Sequence, residues 1–340
     1  MATDPQFDVY GVGNALVDVQ VRVDEEFIAR LGLKKGHMEL VDAARQAQVL
    51  AALAHHPVNR CSGGSAANTV VGVAELGGRA AYCGKVGEDE LGRFYRDDLD
   101  AIGVRFDGAT SAERTGTALV LITPDAQRTM LTYLGASSLL DAPDVQTASL
   151  EGCAYLYVEG YLLPGESTRR AALAAINAAK EQGVRVALTV SDPFVVAQSA
   201  DLLWELIEGP VDLLFCNEIE ASALVGTNDM VECARALHRR ATSVALTLGA
   251  KGSVLMHDGT LHPVEGVRVE AVDTTGAGDM YAAGILYGLT HGLSWPEAGR
   301  LASHAAARVV SVLGARLAAK LSRAEVESMS RPGRAQEKGA

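Results

Sequence analysis

The sequence predicts an α/β fold: a mostly parallel sheet with helices on both faces, plus a small separate β-sheet lying over its strand ends as a lid. Three observations predict it. From about residue 150 onward, short apolar runs of strand length alternate strictly with segments of helical period, the pattern of parallel strands joined by crossover helices. Four segments near residues 17–23, 36–41, 115–123 and 128–134 have strand character but do not fit that alternation, and form a sheet of their own from two insertions. The composition agrees, with 48% hydrophobic residues, 35 glycines and 5% aromatics in 340 residues, as in a compact α/β enzyme and not in a fibrous or disordered chain.

Taken in order, residues 7–13 read as a short buried strand and 17–23 (V-D-V-Q-V-R-V) as a half-exposed one, since apolar and polar residues alternate. Residues 42–55 and 65–76 are helical in period, 80–84 is a buried strand and 89–102 a helix. Residues 115–123 and 128–134 form a hairpin around Pro124-Asp125-Ala126-Gln127. Strands then follow at 155–159, 184–190, 212–216 and 244–248, with helices at 167–182, 200–208 and 218–225. Two long helices, 277–291 and 296–313, come last. The expected organisation is a core of residues 1–13, 43–113 and 137–330, a lid of 14–42 and 114–136, and a flexible tail of 331–340.

The net charge of −12 opposes any partner rich in phosphate, so neither nucleic acid nor an anionic membrane is expected. Any polyanionic ligand must be held by a local site. No uncharged apolar run reaches the roughly 18 residues of a membrane span, and the start, Met1-Ala2-Thr3-Asp4-Pro5, lacks the form of a signal peptide. Five cysteines with no C-x-x-C are expected as free thiols in a reducing cytoplasm.

The strongest local signal is Asp273-Thr274-Thr275-Gly276-Ala277-Gly278-Asp279, directly before an apolar helix. Small residues there bring backbone N–H groups together at a helix N-terminus, an anion hole backed by the helix dipole. Asp279 falls in the first turn, where a carboxylate can take the proton of a hydroxyl attacking a phosphoryl group. The plainer alternative is a glycine turn with an acidic cap. Asn217-Glu218-Ile219-Glu220 follows a strand and puts two hard oxygen donors on one helical face, suited to Mg²⁺ directly or through water, or simply to capping the helix. In Thr247-Leu248-Gly249-Ala250-Lys251-Gly252, two glycines let the backbone approach a nucleotide, or make a strand-to-strand turn. In Ser62-Gly63-Gly64-Ser65-Ala66-Ala67-Asn68, Gly63 and Gly64 let a polyhydroxyl ligand lie against the main chain and Asn68 offers a donor and an acceptor. Asn14 and Asp18 sit just after the first strand, where Asp18 suits two vicinal hydroxyls or a solvent-facing strand position.

Together these segments resemble the PfkB, or ribokinase-like, carbohydrate kinases over roughly residues 7–315, in the order Gly11-Val12-Gly13-Asn14, Gly63-Gly64, Asn68, Asn217 and Glu220, Thr247-x-Gly249-x-x-Gly252, and Gly276-Ala277-Gly278-Asp279. The resemblance implies a ribokinase-like α/β core with a lid, MgATP, and phosphorylation of an alcohol on a small molecule by a monomer or homodimer. It makes Asp279 the base, the backbone of Gly276, Ala277 and Gly278 the anion hole, Asn217 and Glu220 the Mg²⁺-linked pair, and Arg128 a phosphate-facing residue. Asp273 and Thr275 resemble residues that hold a monovalent cation, K⁺, in several relatives.

Within the family, Gly13-Asn14-Ala15-Leu16-Val17-Asp18, Gly63-Gly64-Ser65-Ala66-Ala67-Asn68-Thr69-Val70 and Val190-Ser191-Asp192-Pro193-Phe194 resemble the adenosine-kinase-like branch. That implies the 5′-hydroxyl of adenosine as acceptor, with ribose, fructose or 2-keto-3-deoxygluconate as the alternative. Leu16, Met38, Leu40, Leu162 and Phe194 are of the right type for an apolar purine slot or for core packing. Glu159 and Asp192 depart from the branch pattern and are placed to bind a sugar hydroxyl or a base amino group. Two other classes fit worse. A dinucleotide-binding oxidoreductase would need a third glycine where Leu16 stands, and a non-catalytic binding protein would be expected to have lost Asp279. The strand 117–122, apolar at successive positions, would suit a lid-to-lid dimer.

Overall fold

A computed structural model describes residues 6–125 and 127–331. Ala126 and all but the first residue of the expected tail lie outside the described residues. The main sheet has nine strands, in the spatial order Thr260–Glu265, Gly252–His257, Ser243–Thr247, Leu213–Asn217, Arg185–Thr189, Tyr155–Glu159, Val9–Val12, Ala80–Cys83 and Val104–Phe106. From Ser243–Thr247 to Val104–Phe106 every pairing is parallel. The first two pairings are antiparallel because their connections are too short for a crossover. Asp258 and Gly259, with φ of 46° and 72°, make the two-residue turn of the last hairpin.

Alternation along the strands splits the core into two layers. Tyr155 and Tyr157 face the helices Ser65–Glu75, Glu90–Ile102, Ala277–Thr290 and Trp295–Val310. Leu156 and Val158 face Glu166–Glu181, Pro193–Glu208, Glu218–Val225 and Met230–His238. The helix Pro193–Glu208 begins earlier than its sequence period suggested. Asp192 caps it and Pro193 starts it, but Ser199 is non-helical and breaks the period.

The lid is a five-stranded sheet in the order Met38–Leu40, Arg128–Tyr133, Gly116–Ile122, Leu16–Arg22 and Val58–Gly63. The last strand corrects the expected organisation. Val58–Gly63 (V-N-R-C-S-G) falls within the segment expected in the core, yet it pairs antiparallel with Leu16–Arg22. Nothing in its polar composition marks it as a strand. Leu16–Arg22 is buried up to Leu16–Val21, not half-exposed. Val17, Val19 and Val21 join a cluster with Phe27, Ile28, Val49 and Leu53, from helices Glu25–Arg30 and Ala43–Ala52 and the residue after the latter. Gln46 of the second helix exchanges hydrogen bonds with Thr117 at 2.5 and 3.0 Å. Leu119 and Leu121 belong to the same cluster, so the burial of that strand is accounted for within one chain.

Candidate active site

Between the lid and the carboxyl ends of the parallel strands lies a cavity of about 450 Å³. Its floor is the loop that leads into the helix Ala277–Thr290. Gly276 caps that helix with φ 71°, and a Cβ there would fall 2.6 Å from Ala315, so only glycine fits. A Cβ at Gly278 would meet nothing within 4 Å, so the first turn faces open space. First-turn N–H groups have no acceptor inside the helix, and the cradle fits an anion such as a phosphate.

Asp279 sits in that first turn. Its carboxylate accepts Ser65 Oγ at 2.7 Å and Asn68 Nδ2 at 3.0 Å. Burial pushes its pKa up to about 6, while Ser65, Asn68 and Arg128 pull it down. A carboxylate poised there is mostly ionised at neutral pH and still basic enough to accept a proton. Asn68 is expected as a hydroxyl ligand; its amide nitrogen holds the Asp279 carboxylate. Its Oδ1 is buried without a partner among the described residues, which leaves it to accept from a substrate hydroxyl.

Asp18 lies on the lid strand Leu16–Arg22, facing the cavity. Burial raises its pKa to about 7, with Arg316 and Arg128 opposing. Gly63 does not line the cavity; a Cβ there would collide with the Asp18 carboxylate. Gly64, at φ 103°, lies against the Asn14 carbonyl.

Glu159, expected among the substrate ligands, borders the cavity but is fully buried, and both its oxygens already accept hydrogen bonds. It accepts Asn14 N and Nδ2, both at 2.7 Å, and Ala66 N at 2.8 Å. It is therefore a brace between Asn14 and the start of the helix Ser65–Glu75, where a negative charge also meets the helix dipole. Burial still raises its pKa to about 7. Asp192 is likewise used internally, accepting Phe194 N at 2.8 Å as a helix cap.

The cavity lining includes Leu16, Met38, Leu40 and Phe194 as expected, but not Leu162, which is buried in the core layer beneath. Tyr161, beside it and outside the expected set, borders the cavity. Tyr161 and Phe194 are stacked, with centroids 6.1 Å apart and planes at 27°. The Tyr161 hydroxyl donates to Ser191 O at 3.3 Å. Ser191 is held at φ 77°, a strained value for a residue with a side chain. An aromatic just past a strand end was the available signal for Tyr161.

Arg128 reaches from the lid to the anion loop. Its Nη1 donates to Thr275 Oγ1 at 2.6 Å, Nη2 donates to Thr274 Oγ1 at 2.9 Å, and Nε lies 3.2 Å from Asp273 Oδ1. Asp273 also accepts Thr275 N and Oγ1 at 2.8 and 2.5 Å, and Gly314 N at 2.9 Å. The Arg128 guanidinium already supplies a positive charge beside Asp273 Oδ1, which meets three donors, so Asp273 and Thr275 do not fit a monovalent-cation site in this arrangement.

Asn217 and Glu220 form a capping box. Glu220 accepts Asn217 N at 3.0 Å and Nδ2 at 2.6 Å, and Asn217 Oδ1 accepts Ile219 N and Glu220 N, both at 2.9 Å. Both residues border the cavity, and burial raises the Glu220 pKa to about 7. Among the described residues no cluster of three or more His, Cys, Asp or Glu could cage a metal. That donor set fits Mg²⁺ held through its waters and a ligand's phosphates, since each engaged oxygen of Glu220 keeps a lone pair.

Thr247 borders the cavity; Gly249 and Gly252 do not. They build the turn into the next strand at φ 57° and 101°, and a Cβ on Gly252 would strike the backbone of Val264 and Gly266. Past Gly266 the chain runs along a second cavity of about 680 Å³, lined by Val267, Val269, His304, Ala307 and Ser311 among others.

A parallel α/β core, a lid, a helix-end anion hole and a buried carboxylate beside it define a phosphotransferase. Residues 36–321 match the family model described as pfkB family carbohydrate kinase, and the chain belongs to that family of sugar and nucleoside kinases. A fructokinase of Klebsiella pneumoniae is 31% identical over 252 residues, covering 69% of this chain and 79% of that protein. The crystal structure of adenosine kinase from Sinorhizobium meliloti superposes with a TM-score of 0.88 at 38% identity, covering 95% of this chain and 99% of that one. A probable sugar kinase protein from Rhizobium etli gives 0.89 at 35% identity, covering 96% and 100%. No helix among the described residues is long and apolar enough to cross a membrane.

Proposed function

We propose that this kinase transfers the γ-phosphate of ATP to the 5′-hydroxyl of adenosine. The observation that carries the reading is the mixed lining of the cavity: Asp18, Asn68 Oδ1 and Asp279 among its polar groups, and the stacked Tyr161–Phe194 pair with Leu16, Met38 and Leu40 among its apolar ones. The polar groups suit vicinal hydroxyls, and the aromatic pair suits a flat base. The likeness to an adenosine kinase over nearly the whole chain supports it.

On this reading Asp279 takes the proton of the 5′-hydroxyl as its oxygen attacks phosphorus. The N–H groups of Gly276, Ala277 and Gly278 meet the charge that develops on the transferred group, and Arg128 adds a cation from the lid. Glu220 and Asn217 would hold Mg²⁺ through water, and the bound ion would supply charge neutralisation for the phosphates. The Thr247–Gly252 turn and the second cavity receive the rest of the nucleotide. Fructokinase and ribokinase relatives favour a free sugar as the second reading.

The test is ADP formation with MgATP and adenosine, inosine, guanosine, ribose, fructose or 2-keto-3-deoxygluconate. Adenosine is expected to give the highest kcat/KM, and Asp279→Asn to lose roughly 10²–10⁴ in kcat. Ribose or fructose used as efficiently as adenosine would defeat the nucleoside reading and leave the kinase family untouched.

A further inference from the structure

The stretch following the helix Trp295–Val310 joins the anion loop to the lid. Gly314 N donates to Asp273 Oδ2 at 2.9 Å, and Ala315 packs against Gly276. Arg316 then reaches Ser62 on the lid strand Val58–Gly63, 254 residues away in sequence. Its Nη2 donates to Ser62 O and Oγ, and its Nη1 to Asp98 Oδ2 at 2.8 Å. Asp98, on the helix Glu90–Ile102, in turn accepts Ser62 N at 2.9 Å and Ser62 Oγ at 2.7 Å. Every polar group of Ser62 is thus held by two side chains of the core. The Arg316 side chain is only 13% exposed, so these bonds are little shared with water.

Ser62 directly precedes Gly63 and Gly64, the two residues that lie against Asp18 and Asn14. Cys61, on its other side, is the register partner of Asp18 across the lid sheet. Holding Ser62 therefore holds the strand that Asp18 is paired to. The planar fork of an arginine spans Ser62 and Asp98 together, which an ammonium cannot do.

We propose that Arg316 is a positioning residue for acceptor binding: it seats the Ser62–Gly64 hinge of the lid on the core and so fixes Asp18 where the acceptor hydroxyls meet it. The proposal rests on the reading of Asp18 as a hydroxyl ligand, and its test has one arm that needs no acceptor.

In the free enzyme, Arg316→Gln should speed hydrogen–deuterium exchange in Val58–Gly63 and Leu16–Arg22, while Tyr155–Glu159 and Leu213–Asn217 keep their protection. With adenosine, KM for the acceptor should rise roughly 10- to 100-fold, the scale of lost charge-assisted hydrogen bonds, with KM for ATP unchanged. Arg316→Lys, which retains charge and most of the volume, should show the same pattern more weakly, and serves alone if the Gln variant does not fold. Unchanged exchange in the lid strands, a uniform rise in all strands, or acceptor and ATP KM rising together would each overturn the proposal. If wild-type enzyme does not use adenosine, the adenosine reading fails by itself, and the exchange pattern still decides the role of Arg316.

Discussion

Ser65 Oγ donates to the Asp279 carboxylate at 2.7 Å, tying two helix N-termini that lie 214 residues apart. The bond favours the ionised form of the base and opposes the burial that lifts its pKa to about 6. Ser65→Ala should therefore raise that pKa further. Because the base must be ionised to work, activity is lost as pH falls through its pKa, and the acidic limb of the kcat/KM profile should move to higher pH. The rate should recover at alkaline pH. A limb that stays in place would show that Ser65 does not tune the base.

Arg128 carries a positive charge from the lid to Thr274, Thr275 and Asp273. Its removal leaves Asp273 with the donors of Thr275 and Gly314, so the loop should keep its shape. Arg128→Ala is expected to lose roughly 10²–10³ in kcat, the scale for one donor to transition-state charge, with little change in Tm. Turnover near that of the wild type would reduce Arg128 to a lid latch.

Phe194 is stacked on Tyr161, and both border the cavity. Phe194→Ala should weaken kcat/KM for adenosine by about 1–3 kcal/mol, the range for a base on an aromatic, while any activity on ribose stays as it was. An equal loss on both acceptors would mean that the ring packs the fold and does not hold a base.

Burial raises the pKa of Asp18, Glu75, Glu159 and Glu220 to about 7 and that of Asp279 to about 6. A raised folded-state pKa means that the folded protein binds more protons than the unfolded chain, whose carboxylates titrate near ~4. The stability these groups contribute is complete below that value and is lost as pH rises through 6 to 7. The carboxylates held low, such as Asp98 and Asp125, stay ionised in both states over this range. His304, kept below its ordinary pKa by burial, acts the other way, one group against five. The ligand-free enzyme should melt at a higher temperature at pH 6 than at pH 8; an equal or lower Tm at pH 6 would contradict the shifts.

The alternating strands and helices after residue 150, the helix Glu218–Val225 and the anion loop before Ala277 were legible because each is written in local chemistry: hydrophobic period, glycine spacing and an acidic residue at a helix start. Val58–Gly63 was not, because its polar residues gain strand structure only by pairing with Leu16–Arg22. Leu162 and Tyr161 are adjacent, and only packing puts the first in the core and the second at the cavity.

By itself, then, the sequence determined the α/β core, the presence of a second sheet, the family and the position of the candidate base. The tertiary structure decided what each polar side chain is used for. Glu159 and Asp192 are both chemically fit to meet a ligand, but a buried carboxylate needs hydrogen-bond partners, and these find theirs in Asn14 and Ala66 and in Phe194 N; Asn68 divides its amide, giving Nδ2 to Asp279 and leaving Oδ1 open to a ligand. Apart from the local cap at Asp192, such partners come from segments tens to hundreds of residues away, so no local pattern announces them. Arg316 is the extreme case: an unremarked residue near the end of the chain, given its neighbours Ser62 and Asp98 only by the closing of the fold.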